Sequence, residues 1–205
     1  MDGVIVDSEP RHERAFHEVV SALGYGETHG IRFADYIGRR DQELWMDFVA
    51  KHSPPQTLEE LLALKRQRVV EILRREQPLF DGLPQLIERL SVRVPLALAS
   101  GSERQIVEVV LNLRGLRQHF RVTVSGSDIT KGKPDPQIFL QTAAHLGITP
   151  EDCWVIEDSK PGVAAALAAN MRVIAITNTH PAEELRAATV VVQTYGEIEQ
   201  LFGVA

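Results

Sequence analysis

Residues 94–113 read Val-Pro-Leu-Ala-Leu-Ala-Ser-Gly-Ser-Glu-Arg-Gln-Ile-Val-Glu-Val-Val-Leu-Asn-Leu. This segment joins an apolar run of strand length, Val94–Ala99, to a helical segment, Glu103–Leu113, through a short polar turn. Further apolar runs and helical segments alternate along the rest of the sequence. Strands that alternate with helices favour a parallel sheet, and uniformly apolar strands are expected when helices cover both of its faces.

The sequence on either side of this segment differs in pattern. The other predicted strands are Val122–Val124, Trp154–Ile156, Val173–Ile176 and Val190–Val192, and the helices between them are Asp135–Leu146, Pro161–Ala169 and Ala182–Ala187. Residues 8–77, in contrast, show helical signals and no convincing strand. Thr57 and Glu60 have the spacing of a capping box, which opens a long amphipathic helix. The pattern therefore predicts an α/β core with an all-helical insertion.

Composition and charge narrow the classes of partner. The 205 residues carry 22 basic and 28 acidic side chains, a net charge of −6, and an acidic chain repels a phosphate backbone. The longest apolar run, Val163–Ala169, is far shorter than the ~20 residues that span a bilayer. The sequence shows no secretory signal, and its single cysteine, Cys153, fits a reducing compartment. We expect a cytoplasmic monomer that binds neither nucleic acid nor membrane.

Polar residues follow the first predicted strand, where ligands bind in open α/β sheets. Ser100 supplies a hydroxyl, and Gly101 allows close approach to the backbone at a helix N-terminus that favours anions. Ser102 and Gln105 have the spacing of a second capping box. Taken alone, this segment is also compatible with an ordinary tight turn.

Three other segments add charge to the same edge of the sheet. Lys133 lies just ahead of a helix N-terminus, where an anion would offset its charge, although it could equally be a solvated loop lysine. Glu157 and Asp158 end a buried strand and suit Mg²⁺, with helix capping as the alternative for Asp158. Asp2 lies in an Asp-Gly turn. Together with Ser100, these side chains supply the carboxylates, the cation and the hydroxyl that phosphoryl transfer uses.

The same segments resemble the four motifs of the haloacid dehalogenase-like superfamily. They are Asp2–Glu9, the strand end at Ser100, Lys133–Pro136 and Glu157–Ser159. The pattern is most similar to the branch that contains β-phosphoglucomutase and small sugar-phosphate phosphatases, which carries an inserted helical cap. The resemblance implies a three-layer Rossmann-like parallel sheet core over residues 1–8 and 78–205, with an inserted all-helical cap domain over residues 9–77.

The resemblance also implies an activity: Mg²⁺-dependent hydrolysis of a small phosphorylated metabolite, such as a sugar phosphate, through an aspartyl-phosphate intermediate. Asp2 would be the general acid and base, and its backbone carbonyl would bind Mg²⁺. Ser100, the Gly101 amide and Lys133 would hold the phosphate. Asp158 would be a direct metal ligand, with Glu157 in or next to the metal's coordination shell. The superfamily's dehalogenases lack an aspartate at the position of Asp2.

The sequence departs from the family motif at its beginning. That motif reads Asp-x-Asp-Gly with the nucleophile first, and Met1 occupies the x position. We therefore expect the nucleophile, and the central strand that ends in it, upstream of Met1. The alternative is a non-catalytic relative that binds phosphate.

Residues of the predicted cap would carry substrate specificity. His12 matches a cap histidine of β-phosphoglucomutase, although it could also be an ordinary surface histidine, and Lys65 falls near that enzyme's cap lysine. Arg40 lies one residue before the place of the cap arginine, where this chain has Asp41. A mutase that returns the phosphoryl group to a sugar hydroxyl is therefore an alternative to the phosphatase.

Overall fold

A computed structural model describes residues 1–36 and 41–204, and the chain divides into two compact units. The helical unit comprises Ser8–Glu76. The core unit comprises Met1–Asp7 together with Gln77–Ala205. Within residues 1–36 and 41–204, no helix combines the length and the apolar character needed to cross a membrane.

The helical unit contains three α-helices in its described residues: α1 (Glu9–Ala22), α2 (Asp41–His52) and α3 (Leu58–Glu76). The predicted capping box at the start of α3 is confirmed. The Thr57 amide donates to Oε2 of Glu60 at 2.7 Å, and the Glu60 amide donates to Oγ1 of Thr57 at 3.2 Å. Both bonds satisfy amides at the first turn of the helix, where the helix itself offers no acceptor.

Aromatic rings fill the interior of the helical unit. Phe16 of α1 and Phe48 of α2 both contact Trp45 edge to face, with ring centroids 5.2 and 5.4 Å apart. All three side chains are fully buried, as is Leu61 of α3. Because buried aromatic side chains contribute a large apolar area, this unit has a hydrophobic core of its own.

The core unit alternates strands with helices, so the predicted α/β fold class is confirmed. Its strands are β1 (Leu96–Ala99), β2 (Phe120–Val124), β3 (Trp154–Glu157), β4 (Arg172–Ile176) and β5 (Val190–Val192). Its helices are α4 (Leu83–Ser91), α5 (Arg104–Asn112), α6 (Gln137–Leu146), α7 (Lys160–Ala168), α8 (Ala182–Leu185) and α9 (Tyr195–Leu201). The first strand begins at Leu96, two residues later than predicted, because Pro95 has no amide hydrogen to donate to a neighbouring strand.

The strands pair in parallel but form two sheets rather than the one predicted. In the described part of the chain, β1 pairs with β2, and the second sheet has the order β3-β4-β5. Both sheets lie under the same helical layer, because a single apolar cluster includes Phe139 of α6 and Val163 of α7. Ala99 of β1 and Val155 of β3 both pack against this cluster.

The strands differ in how well they are covered. β4, which is paired on both sides, buries four of its five residues. β1 and β3 each leave three of four residues partly exposed. Within the described residues, β1 pairs with β2 alone and β3 with β4 alone, so each has one edge without a strand partner. β2 and β5 also have one such edge each, whereas β1 and β3 lead directly into the predicted site residues Ser100, Glu157 and Asp158.

Residues 1–6 form a tight turn, called here the Asp2 turn. The amides of Ile5 and Val6 donate to the Met1 carbonyl at 2.6 and 3.2 Å, and the Gly3 amide donates to the Val6 carbonyl at 3.0 Å. Gly3 has a φ of +67°, which an L side chain rarely adopts. Val4, Ile5 and Val6 are buried. The turn therefore presents Asp2 from a backbone fixed by packing and hydrogen bonds.

Candidate active site

Asp2 contacts the loop that follows β1. The Ser102 hydroxyl donates to Oδ2 of Asp2 at 2.6 Å, and the buried Ser100 hydroxyl approaches the same oxygen at 3.5 Å. The predicted capping box of Ser102 and Gln105 is wrong, because the N-cap residue of α5 is Glu103 and the Ser102 side chain turns to Asp2 instead. Sequence reasoning thus assigned Ser102 to the helix and missed its contact with a predicted catalytic group.

The loop after β2 contacts the backbone of residues 100–102, called here the serine loop. The Gly126 amide donates to the Ser102 carbonyl at 2.9 Å. A Cβ at Gly126 would overlap the Gly101 carbonyl, so only glycine permits this approach. Gly101 itself is exposed, and a Cβ there would meet nothing within 4 Å. Open space therefore adjoins the backbone at Gly101.

Lys133 and Glu157, which were predicted from separate segments, form an ion pair. The Glu157 carboxylate is buried and also accepts from the Ser159 hydroxyl at 3.0 Å and from the Asp158 amide at 3.2 Å. A Cβ at Gly162 would overlap this carboxylate, so glycine makes room for it at the start of α7. In this structure Glu157 holds the Lys133 ammonium, a contact that sequence reasoning did not predict.

The two adjacent carboxyls differ in electrostatic environment. Burial alone would raise the pKa of Glu157, but the charge of Lys133 and the hydrogen bonds from Lys133 and Ser159 hold that pKa below its usual range. Burial raises the pKa of Asp158, and repulsion by the Glu157 charge raises it further. A hydrogen bond from the Thr179 hydroxyl offsets part of this rise. A cation beside Asp158 would relieve the remaining cost of its charge.

Asp158 lies against the Asp2 turn, because a Cβ at Gly3 would overlap its carboxylate. The residues present are hard oxygen donors, which fit Mg²⁺. In residues 1–36 and 41–204, no group of three or more His, Cys, Asp or Glu side chains could hold a metal alone. Mg²⁺ is compatible with such a site because it binds through one or two carboxylates and keeps several waters.

The predicted cap residues are placed in the helical unit. Lys65 of α3 is fully buried, forms an ion pair with Asp41 and lies 5.4 Å from the ring centroid of Phe33. Burial lowers the pKa of Lys65, and the charge of Asp41 opposes that shift. His12 lies in α1, and Arg40 lies outside the described residues.

A family model described as haloacid dehalogenase-like hydrolase matches residues 1–170, most of the chain and all of the predicted site residues. The chain belongs to the haloacid dehalogenase-like hydrolase family. This confirms the resemblance found in the sequence.

Relatives of this hydrolase include two sugar-phosphate phosphatases. Hexitol phosphatase B of Escherichia coli (strain K12) is 31% identical over 180 residues, which is 86% of this chain and 80% of the relative. Fructose-1-phosphate phosphatase of the same organism is 32% identical over 173 residues, covering 83% of this chain and 90% of the relative. A solved structure of a proposed beta-phosphoglucomutase from Thermotoga maritima superposes with a TM-score of 0.80 at 26% identity, covering 99% of this chain and 95% of that one.

Within the hydrolase, the predicted residues of the core unit form one connected set. Contacts run from Ser100 and Ser102 to Asp2, from Gly3 to Asp158, and from Glu157 to Lys133. The set brings together hydroxyl donors, carboxylates and a fixed ammonium at the ends of β1 and β3. Thr179, which follows β4, was missed because no motif in the sequence marks it.

Proposed function

We propose that this hydrolase is a Mg²⁺-dependent phosphatase that acts on a small phosphorylated metabolite. The substrate class that we propose is a sugar phosphate. The observation that carries the proposal is the contact between the Asp2 turn and the strand ends, which places Asp2 beside Ser100 and Gly3 beside Asp158. An acid, phosphate donors and a metal-binding carboxylate are thereby close together, as phosphoryl transfer requires. The relatives named for hexitol phosphates and fructose 1-phosphate support the choice of substrate class.

In the proposed reaction, three groups bind the phosphate: the Ser100 hydroxyl, the Gly101 amide and the Lys133 ammonium. The open space at Gly101 leaves room for a phosphate oxygen. Glu157 holds Lys133 in place and offsets its charge until the phosphate arrives. These donors would stabilise the charge that spreads over the equatorial oxygens of the transferring group.

Asp2 is the proposed general acid, which gives a proton to the leaving oxygen and later takes one from the attacking water. The Ser102 hydroxyl orients its carboxylate. Mg²⁺ would be held by Asp158 and the Asp2 carbonyl, with Glu157 next to it, and when bound it supplies charge neutralisation.

The nucleophile of the proposed reaction is an aspartate immediately before Met1, at the end of a strand between β1 and β3. Two observations support this position. In the described part of the chain, β1 and β3 each have an edge without a strand partner, and the Asp2 turn touches the residues that follow both strands. We use the term extended chain for residues 1–205 preceded by a hydrophobic strand of about five residues that ends in Asp.

The test of the function is phosphate release by the extended chain from fructose 1-phosphate, a hexitol phosphate and a hexose 1-phosphate. We expect release from at least one of them with Mg²⁺, and none with EDTA. The proposed beta-phosphoglucomutase neighbour favours a mutase as the second candidate, which would convert the hexose 1-phosphate to the 6-phosphate instead. Phosphate binding without turnover of any substrate would contradict both and indicate a non-catalytic relative.

Lys133 provides a matched comparison with Lys131, two residues earlier. Lys131 is 72% exposed and lies 3.7 Å from Asp135. We expect Lys133→Ala to lower kcat of the extended chain by on the order of 10²-fold, and Lys131→Ala to leave it nearly unchanged. Steady-state assays of both variants make this comparison.

Loss of Lys133 also leaves the buried Glu157 charge without its partner, which destabilises the fold. The double variant Lys133→Ala/Glu157→Gln removes that unpaired charge. We expect it to recover stability in a urea titration but to remain slow. Equal effects of the two lysine substitutions on kcat would show that Lys133 does not bind the phosphate.

A further inference from the structure

Two residues beyond the matched family region grip the Asp2 turn. The Tyr195 hydroxyl, at the start of α9, donates to the Val4 carbonyl at 2.6 Å. Nδ2 of Asn178, two residues after β4, donates to the Gly3 carbonyl at 2.8 Å and to the Tyr195 hydroxyl at 2.9 Å. Asn178 and Tyr195, called here the clamp, thus bind two consecutive carbonyls directly after Asp2.

The clamp is part of the protein interior. Tyr195 is 7% exposed, and burial raises the pKa of its phenol well above the usual range, so the hydroxyl keeps its proton. This buried hydroxyl donates its one hydrogen to a carbonyl and accepts from an amide, so both its donor and its acceptor have a partner. The two bonds to the turn therefore act as fixed restraints on its backbone.

The clamp and the serine loop hold different parts of the turn. The Ser102 hydroxyl donates to the Asp2 carboxylate itself. The clamp holds the backbone that directly follows Asp2. The neighbouring Thr179 donates to the Asp158 carboxylate, so the segment after β4 contacts both the turn and the proposed metal ligand.

We propose that Asn178 and Tyr195 are positioning residues for proton transfer by Asp2, an inference that rests on the proposed function. Neither side chain touches the reacting atoms. They fix the turn so that the Asp2 carboxyl meets the leaving oxygen, and a general acid contributes only when it is within hydrogen-bonding reach.

The first experiment uses the 205-residue chain and does not depend on activity. In Tyr195→Phe and Asn178→Ala, we expect the amides of Gly3, Ile5 and Val6 to exchange hydrogen about 5- to 10-fold faster, with the amides of β4 unchanged. Thr189→Val is the matched control, because Thr189 accepts from the Val173 amide at 2.9 Å near the opposite end of β4. It should leave exchange of the turn amides unchanged. If the exchange rates of the turn amides and of the β4 amides change equally in the clamp variants, the proposal is overturned.

The second experiment separates positioning of the acid from general damage to the site. A sugar alkoxide needs a proton as it leaves, whereas p-nitrophenolate leaves without one. In the extended chain, we expect Tyr195→Phe to lower kcat/KM about tenfold for a sugar phosphate and less than about twofold for p-nitrophenyl phosphate. Asp2→Asn should show the same difference between substrates, only larger.

A double-mutant cycle completes the test. If Tyr195 acts through Asp2, Tyr195→Phe should cost nothing further in the Asp2→Asn background. Equal losses with both phosphate esters, or fully additive losses in the cycle, would overturn the inference. A parent extended chain that hydrolyses neither ester would overturn the proposed function instead, and the exchange rates alone would then decide the role of the clamp.

Discussion

The extended chain is expected to be more stable than residues 1–205 and to hydrolyse a sugar phosphate in Mg²⁺, whereas replacing its added Asp by Asn removes the activity alone. The stability gain has a structural reason. Among residues 1–36 and 41–204, β1 and β3 each have one edge without a strand partner, and three of four residues in each are partly exposed. A strand between them would pair both edges and cover those side chains.

The expected gain in unfolding free energy is large. Each hydrogen bond that replaces a bond to water contributes roughly 0.5–1.5 kcal/mol, and a strand of about five residues that pairs on both edges makes roughly ten. The sum is comparable with the roughly 5–15 kcal/mol that separates the folded from the unfolded state of a domain. Urea titrations of the two chains measure this difference directly.

The Asp-to-Asn variant of the extended chain is the matched control. It keeps the strand and its hydrogen bonds but cannot form an aspartyl-phosphate. We expect the same urea midpoint as its parent and no phosphate release. If both versions of the extended chain bind phosphate and release none from any substrate, the proposed nucleophile is wrong and the protein is a non-catalytic relative.

Asp158→Asn is expected to abolish the response of the protein to Mg²⁺ while leaving its fold intact. Asp158 is buried beside Glu157, and both its burial and that neighbour raise its pKa. Mg²⁺ at about 100 times its Kd would stabilise the parent by about 2.7 kcal/mol, which is roughly 5–10 °C in Tm for a chain of this size. The variant should show no such shift, and its extended form no Mg²⁺-dependent turnover.

Without Mg²⁺, the variant should be at least as stable as the parent. A neutral amide is not repelled by Glu157 and can still accept from the Thr179 hydroxyl. Because the folded-state pKa of Asp158 is raised, the contribution of this one carboxyl to the stability of the parent is most favourable at low pH and falls as pH rises from its unfolded-state pKa to its folded-state pKa. The Tm difference between variant and parent should therefore grow over that range.

Thermal scans at several pH values, with and without Mg²⁺, test both expectations. Asp81→Asn serves as the control, because Asp81 is an exposed carboxylate of the core unit. It should keep the Mg²⁺ shift of the parent. An Asp158→Asn variant that still gains Tm in Mg²⁺ would contradict the assignment of this residue as a metal ligand.

Local patterns in the sequence predicted the elements of the fold well. Each of the five predicted strands corresponds to an observed one within two residues at either end, and the capping box at Thr57 and Glu60 forms as predicted. Apolar periodicity and capping depend on residues a few positions apart, so the sequence itself carries this information. The pairing of the strands into two sheets does not follow from such patterns, because it joins residues far apart in the chain.

The candidate site shows the same division. The sequence pointed to Asp2, Ser100, Lys133 and the adjacent acids because each follows a strand or lies in a recognisable turn. It could not show that Lys133 pairs with Glu157, or that the Ser102 hydroxyl donates to Asp2 rather than capping α5. Ser102 and Gln105 satisfy the local rule for a capping box, and a tertiary contact took precedence over that rule.

By itself, the sequence determined the α/β alternation, and it predicted a helical insertion and a set of residue types suited to phosphoryl transfer. Only the tertiary structure decided which of these groups touch, and it alone revealed the hydrogen bond from Tyr195 to Val4, 191 positions apart. The physical reason is that a hydrogen bond between distant residues has no local signature. It exists only once packing of the buried turn and α9 has brought donor and acceptor within reach.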